Sequence, residues 1–180
     1  MVYLRRNVVE FRFNNYRLSA MSDAGDFIDA ALQYEVSPYS YPTDEPDGLL
    51  HYGTSVGAIR GTIRDGMRRY PGMSHDEVAA LSSELWSAAV FERRQAAIIL
   101  LQTHVHMLVA NDLTRIEGFI RAAGSDVLVD ELVADVLRPM LERMDAATLA
   151  RVQTVLGRWA SDPSVTLGSV GRRLGASTLQ

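Results

Sequence analysis

Gly124-Ser125-Asp126-Val127-Leu128-Val129-Asp130-Glu131-Leu132-Val133-Ala134-Asp135-Val136-Leu137-Arg138-Pro139-Met140-Leu141-Glu142 reads as a helix with one apolar stripe. Val129, Leu132, Val133, Val136, Leu137 and Leu141 recur at three- and four-residue spacing, the period of a helix that buries a single face. Gly124 interrupts the chain ahead of it. Pro139 has no backbone N–H and crowds the turn before it, so a kink is expected there. Asp130 stands at the head of the stripe, one turn after Asp126.

The same period recurs in both directions from this stretch. Toward the N-terminus, Ser22-Asp23 followed by Phe27, Ile28, Ala31 and Leu32 predicts a capped amphipathic helix. Val56, Ile59, Ile63 and Met67 predict another, with Arg60, Arg64 and Arg68 on the neighbouring face and Pro71-Gly72 as its stop. Ser74-His75-Asp76-Glu77 is a capping box, in which the Ser and Glu side chains each satisfy a free amide of the first turn. It opens a helix carrying Val78, Leu81, Leu85 and Trp86. After a break near Ala88, Phe91, Ala97, Ile98, Leu101 and Val105 continue on a further helix. Asn111-Asp112 is expected to cap the segment with Leu113, Ile116, Phe119 and Ile120, and Asp145 the one with Leu149, Val152, Leu156 and Trp159. Val36 to Gly53, with Pro38, Pro42 and Pro46, reads as a loop. No strand alternation appears after Met21. The expected fold is all-α, with antiparallel helix pairs stacked as an α-solenoid, because no single pair can bury its stripe alone; a generic helical bundle is the alternative.

Composition narrows the function. The 180 residues suit one domain with a real core, and 47% apolar, 22% charged residues and a net charge of −4 describe an ordinary soluble protein. The longest apolar run, Ala96 to Leu101, is far too short to span a bilayer, and charges interrupt the first twenty residues, so a cytoplasmic location is expected. The absence of cysteine excludes disulfides, thiolate nucleophiles and Cys-based metal sites. All 18 basic residues are Arg, a bias that fits a GC-rich genome and also suits phosphate contacts. The acidic total still leaves room for a local basic face. Met21 directly precedes the first cap, so residues 1–20 are expected to be an unstructured or spurious extension. Residues 21–163 form the helical-repeat domain, and 164–180 an irregular tail.

The chain resembles a known family at several places in order. His51-Tyr52-Gly53-Thr54-Ser55-Val56 leads into Ile59-Arg60, then come Leu81 to Trp86, Glu92-Arg93-Arg94 with Ala96-Ala97, and Val129-Asp130-Glu131-Leu132. These stretches, spread from about Asp26 to Asp162, are similar to the HEAT-like DNA alkylation repair proteins, the alkylpurine DNA glycosylases of the AlkD type. The resemblance implies a HEAT-like α-solenoid whose Arg-lined concave face holds double-stranded DNA with alkylated bases. It implies hydrolysis of the N-glycosidic bond of cationic N3- or N7-alkylpurines without metal or cofactor. Asp130 matches the family's lesion-facing carboxylate, which would stabilise the oxocarbenium character of the sugar and orient the attacking water. Arg60, Arg64, Arg68, Arg93, Arg94, Arg172 and Arg173 are the expected DNA contacts.

Two features depart from the family pattern. The family grips the sugar with two Trp rings, and Asp126 stands at the position of the first, four residues before Asp130. The second Trp should follow Trp159...Asp162-Pro163 and introduce an Arg-Arg helix; here the chain reads Ser164-Val165-Thr166-Leu167-Gly168-Ser169-Val170-Gly171-Arg172-Arg173. GC-rich codons for Leu167 to Arg172, read one base later, give Trp-Val-Arg-Ser-Ala. Residues from about Val165 onward are therefore expected to be a frameshifted tail, with the final helical repeats missing.

Each of these residues also has a plain structural reading. Asp130 fits an acidic first-turn residue favoured by the helix dipole, and Asp126 a cap. Arg60, Arg64 and Arg68 fit a solvated face, and Arg93 and Arg94 local pairing with Glu92. Trp86 and Trp159 fall in register with apolar neighbours and read as core. His104 and His106 lie two apart on a helix and diverge, which argues against a shared metal; His51 and His75 read as loop and cap residues. A noncatalytic HEAT-like protein that binds distorted DNA or a protein partner is the alternative function.

Overall fold

The computed structural model describes residues 22–34 and 48–177, with side chains through Gly175. The expected extension 1–20, Met21 and most of the Pro-rich loop lie outside the described residues. α1 spans Asp23–Tyr34, α2 Val56–Arg69, α3 His75–Ser87, α4 Phe91–Thr103 and α5 Leu113–Ala122. α6 (Asp126–Glu131) passes through a π-helical turn, Leu132–Leu137, into α7 (Arg138–Glu142); α8 (Ala146–Ala160) and α9 (Val165–Ser177) follow. The fold is all-α, built of packed helix pairs, and no strand occurs among the described residues.

Local chemistry starts and stops these helices as the sequence predicts in most places. Ser22 Oγ accepts from Gly25 N at 3.1 Å, and Ser55 caps α2 through Ala58 N. The Ser74–Glu77 capping box is complete, and Asp145 caps α8 through Thr148 N at 2.8 Å. Asp112 differs. It ends a 3₁₀ turn, Ala110–Asp112, and its carboxylate accepts from Val109 N at 2.8 Å instead of capping α5. At the place of the kink expected for Pro139, a π turn immediately precedes the proline, with Arg138 N donating to Val133 O five residues back.

The expected irregular tail is also corrected. Val165–Ser177 is a helix, and its Leu167, Val170 and Leu174 are buried. Their three- and four-residue spacing carries the apolar stripe that pairs α9 with α8. Gly171 is where the two backbones meet, since a Cβ there would overlap Ala160 N and lie 2.7 Å from Trp159 C.

Two rows of helices result. α1 packs on α3, Trp86 of α3 stacks on Phe119 of α5 with ring centroids 4.5 Å apart, and Glu117 of α5 accepts from Trp159 Nε1 of α8 at 2.8 Å. These form the first-helix row. α2 packs on α4, α4 on α6 and the π turn, and α6 shares a cleft with α9; these form the second-helix row. One continuous apolar core, from Ile28 through Leu85, Leu100 and Leu132 to Trp159 and Leu174, runs between them.

Candidate nucleic-acid interface

The second-helix row carries a chain of polar contacts, one across each helix boundary. Arg60 Nη1 of α2 donates to Gln102 Oε1 of α4 at 2.9 Å. Gln95 Nε2 of α4 donates to both oxygens of Glu131 on α6, at 2.8 and 3.0 Å. Arg173 Nη1 of α9 donates to Asp130 Oδ1 at 2.7 Å. Asp126, Asp130 and Arg173 line a cleft of about 320 Å³ between α6 and α9.

Asp130 is solvent-facing, with 63% of its side chain exposed. It follows Val129, which is buried, so the helix period turns it out of the core. Its neighbour Glu131 sits deeper. Burial pushes the Glu131 carboxyl up, the Gln95 hydrogen bond opposes this, and the Asp135 charge adds to the rise. α6 thus presents a strip of carboxylates, while α2 on one side and α9 on the other present arginines.

Arg60, Arg64 and Arg68 are exposed on α2, and among the described residues Arg64 and Arg68 form ion pairs only with the local Asp65, at 3.4 and 3.5 Å. Exposed pairs of this kind contribute about 0–1 kcal/mol and are readily exchanged. Arg172 lies on α9, where its Nη1 donates to Ala160 O at 3.1 Å, across the end of α8.

Arg93 and Arg94 occupy a different place. Both are buried. Arg94 Nε donates to Trp86 O and Ala88 O at 3.3 and 3.1 Å, and its Nη1 to Ala122 O and Ala123 O at 2.5 and 2.9 Å. It therefore closes the C-terminal ends of α3 and α5, where unsatisfied carbonyls and the helix dipoles favour a cation. Arg93 Nη2 donates to Glu84 O at 3.1 Å and its Nε lies 3.7 Å from Asp29 Oδ1. The expected pairing of these arginines with Glu92 does not form. Buried Glu92 instead accepts from Tyr52 N at 2.9 Å and Gly53 N at 2.7 Å.

Glu92 so anchors the His51–Ser55 segment, which Leu50 and Val90 bridge and the His51–Phe91 ring stack supports. Tyr52 Oη lies 3.1 Å from Asp29 Oδ1, and burial followed by the Asp29 charge pushes its phenol well above the ordinary range. Sequence reasoning missed this network, because its partners lie 23 to 40 residues apart and none of them is unusual locally. Trp86 and Trp159 are core residues, as their register implies. His104 Nδ1 meets Leu100 O, and His75 Nε2 reaches Asp112 Oδ2 at 2.9 Å.

The fold and this face define a class, an all-α helical-repeat protein whose second helices present arginines on both sides of an outward carboxylate. A sequence model of the family described as DNA alkylation repair enzyme matches residues 42–171, and the chain belongs to that family. Membership points to DNA as substrate or partner. The match runs through Asp130 and, in α9, as far as Gly171. Comparison with curated proteins and with solved structures gives no match. No helix among the described residues is long and apolar enough to cross a membrane.

Proposed function

We propose that the chain binds alkylated duplex DNA on its second-helix row and hydrolyses the N-glycosidic bond of cationic N3- or N7-alkylpurines, with Asp130 as the catalytic carboxylate. The observation that carries this reading is an outward Asp130 between arginine-bearing α2 and α9 in a member of this repair family. Arg60, Arg64, Arg68 and Arg173 hold backbone phosphates, with Arg172 beside them. Arg93 and Arg94 belong to the fold and leave the proposed contact set. A HEAT-like curvature of the stacked pairs would bring the arginines of α2 and α9 to bear on one duplex.

Chemically, an alkylated purine already carries a positive charge, so its leaving needs no protonation. As the C1′–N9 bond breaks, its electron pair neutralises the purine and positive charge appears on the sugar. A fixed carboxylate stabilises charge that exists only in the transition state, which is what lowers the barrier. Water then adds to C1′ and its proton passes to solvent, leaving an abasic site and free base. In the DNA-free chain Arg173 holds the Asp130 carboxylate. The pair is solvent-exposed, so a phosphate can take over Arg173 at little cost.

The test incubates methylated duplex DNA with the full chain and measures both released purine and retained DNA. Release with retention supports the reading. Retention that weakens with salt, without release, supports the noncatalytic DNA-binding alternative, which Asp126 in place of an aromatic sugar contact favours. Failure of both overturns a DNA role for this face.

A further inference from the structure

We propose that the groove between α5 and α8, on the first-helix row and away from Asp130, docks an acidic amphipathic segment of a protein partner. α5 and α8 are drawn together toward their C-terminal ends, where Glu117 accepts from Arg158 Nη2 at 2.9 Å and Arg121 Nη2 reaches Asp162 Oδ2 at 2.6 Å. Toward their N-terminal ends the two helices part and leave a groove of about 580 Å³. Leu113, Met144, Val152 and Val155 form its apolar floor.

The rim is cationic. Arg143 and Arg151 border the groove; Arg151 donates to Thr148 Oγ1 at 3.2 Å and feels the charge of Asp145, and neither makes a salt bridge among the described residues. Asp145, the acidic residue beside them, is committed to capping α8, where it accepts from Thr148 N at 2.8 Å and Thr148 Oγ1 at 3.1 Å. The rim therefore carries more guanidinium than carboxylate charge along an apolar trough, with Arg143, Arg151 and Arg158 against Asp145 alone among its described lining residues. Its complement is a helix with carboxylates on one edge and Leu-like residues on the other. Between Thr148 and Val155 the trough follows α8 for about 10 Å at the helical rise, room for about two turns of a docked helix. Nucleic acid fits less well, since phosphates gain nothing from an aliphatic floor.

The probe is a fluorescein-labelled helical peptide with Leu at i, i+3, i+4 and i+7 and Glu between them, titrated by anisotropy against the full chain. Binding is expected for this peptide and not for its counterpart with Lys in place of Glu. Arg143→Glu with Arg151→Glu should weaken it by about tenfold or more while affinity for duplex DNA stays the same. If circular dichroism shows the double charge reversal to be unfolded, Arg143→Gln with Arg151→Gln replaces it and the same loss is expected. Absence of binding, equal binding by the folded variant or of the Lys peptide, or a loss of DNA affinity in place of peptide affinity overturns the proposal. The last result would make the groove a second nucleic-acid surface.

Discussion

Replacing Arg94 with Leu should destabilise the fold and leave the DNA-facing surface unchanged. The guanidinium serves four carbonyls, of which those of Trp86, Ala88 and Ala123 are bonded in buried surroundings. Its Cζ also lies 5.6 Å from the centre of the Trp86 ring. Leu fills part of the volume but donates nothing. Each buried carbonyl left without a donor costs about 1–3 kcal/mol, and relaxation toward solvent at the exposed Ala122 relieves part of the total. A net loss of about 3–5 kcal/mol follows, in the range of breaking a buried charged contact. At about 2–4 °C per kcal/mol for a domain of this size, the melting temperature should fall by roughly 6–20 °C. Urea unfolding followed by Trp fluorescence measures it, with Trp86 as a local reporter. Arg64→Leu, on the exposed face of α2, is the control and should change stability by less than about 0.5 kcal/mol. An Arg94→Leu chain within about 1 kcal/mol of the wild type would refute the assignment of this arginine to the fold.

Three further outcomes follow from the same geometry. Gly171→Ala forces α8 and α9 apart and should cost about 1–3 kcal/mol, whereas Gly157→Ala, with open space around its Cβ, should be neutral or stabilising by up to about 1 kcal/mol; paired thermal melts compare them. The hydrogen bond to Asp112, then that to Asp76, holds His75 above its ordinary pKa of 6.5. A raised folded-state pKa stabilises below the unfolded value and loses that contribution as pH rises through the folded one. The wild type should therefore lose stability relative to His75→Gln as pH is raised from 6.5 through the folded value, and parallel curves in urea melts across that range would contradict it. Glu92→Gln keeps the shape, but Tyr52 N and Gly53 N donate to different oxygens of the carboxylate, so the amide side chain loses one of the two bonds and leaves the other without charge assistance; exchange of those two amides should quicken by hydrogen-exchange NMR, with little change in α8.

Much of the helix layout was legible because its causes are local. The Ser74–Glu77 box and the Asp145 cap each depend on residues three apart. The stripes of Ile59 and Ile63, or of Val152 and Leu156, announce their buried faces by period alone. The tail shows where a resemblance outweighed the residues themselves. Leu167, Val170 and Leu174 have helical spacing and are buried, and the absence of the family's Trp motif has no bearing on that. Long-range roles were not legible. Arg94 and Arg64 are both arginines in helical sequence, and only packing decides that Arg94 closes two helix ends while Arg64 meets water. Asp130 was singled out by resemblance, and its outward direction follows from the period, but the Arg173 partner 43 residues away required the fold.

Single-turnover release of methylated purine by the wild type and by Asp130→Asn, at saturating protein, tests the central claim most directly. Asparagine keeps the shape and removes the charge, so duplex binding should persist while the release rate falls by about 10²–10³, the usual effect of deleting one group that stabilises transition-state charge. Equal rates for the two proteins would contradict a catalytic Asp130.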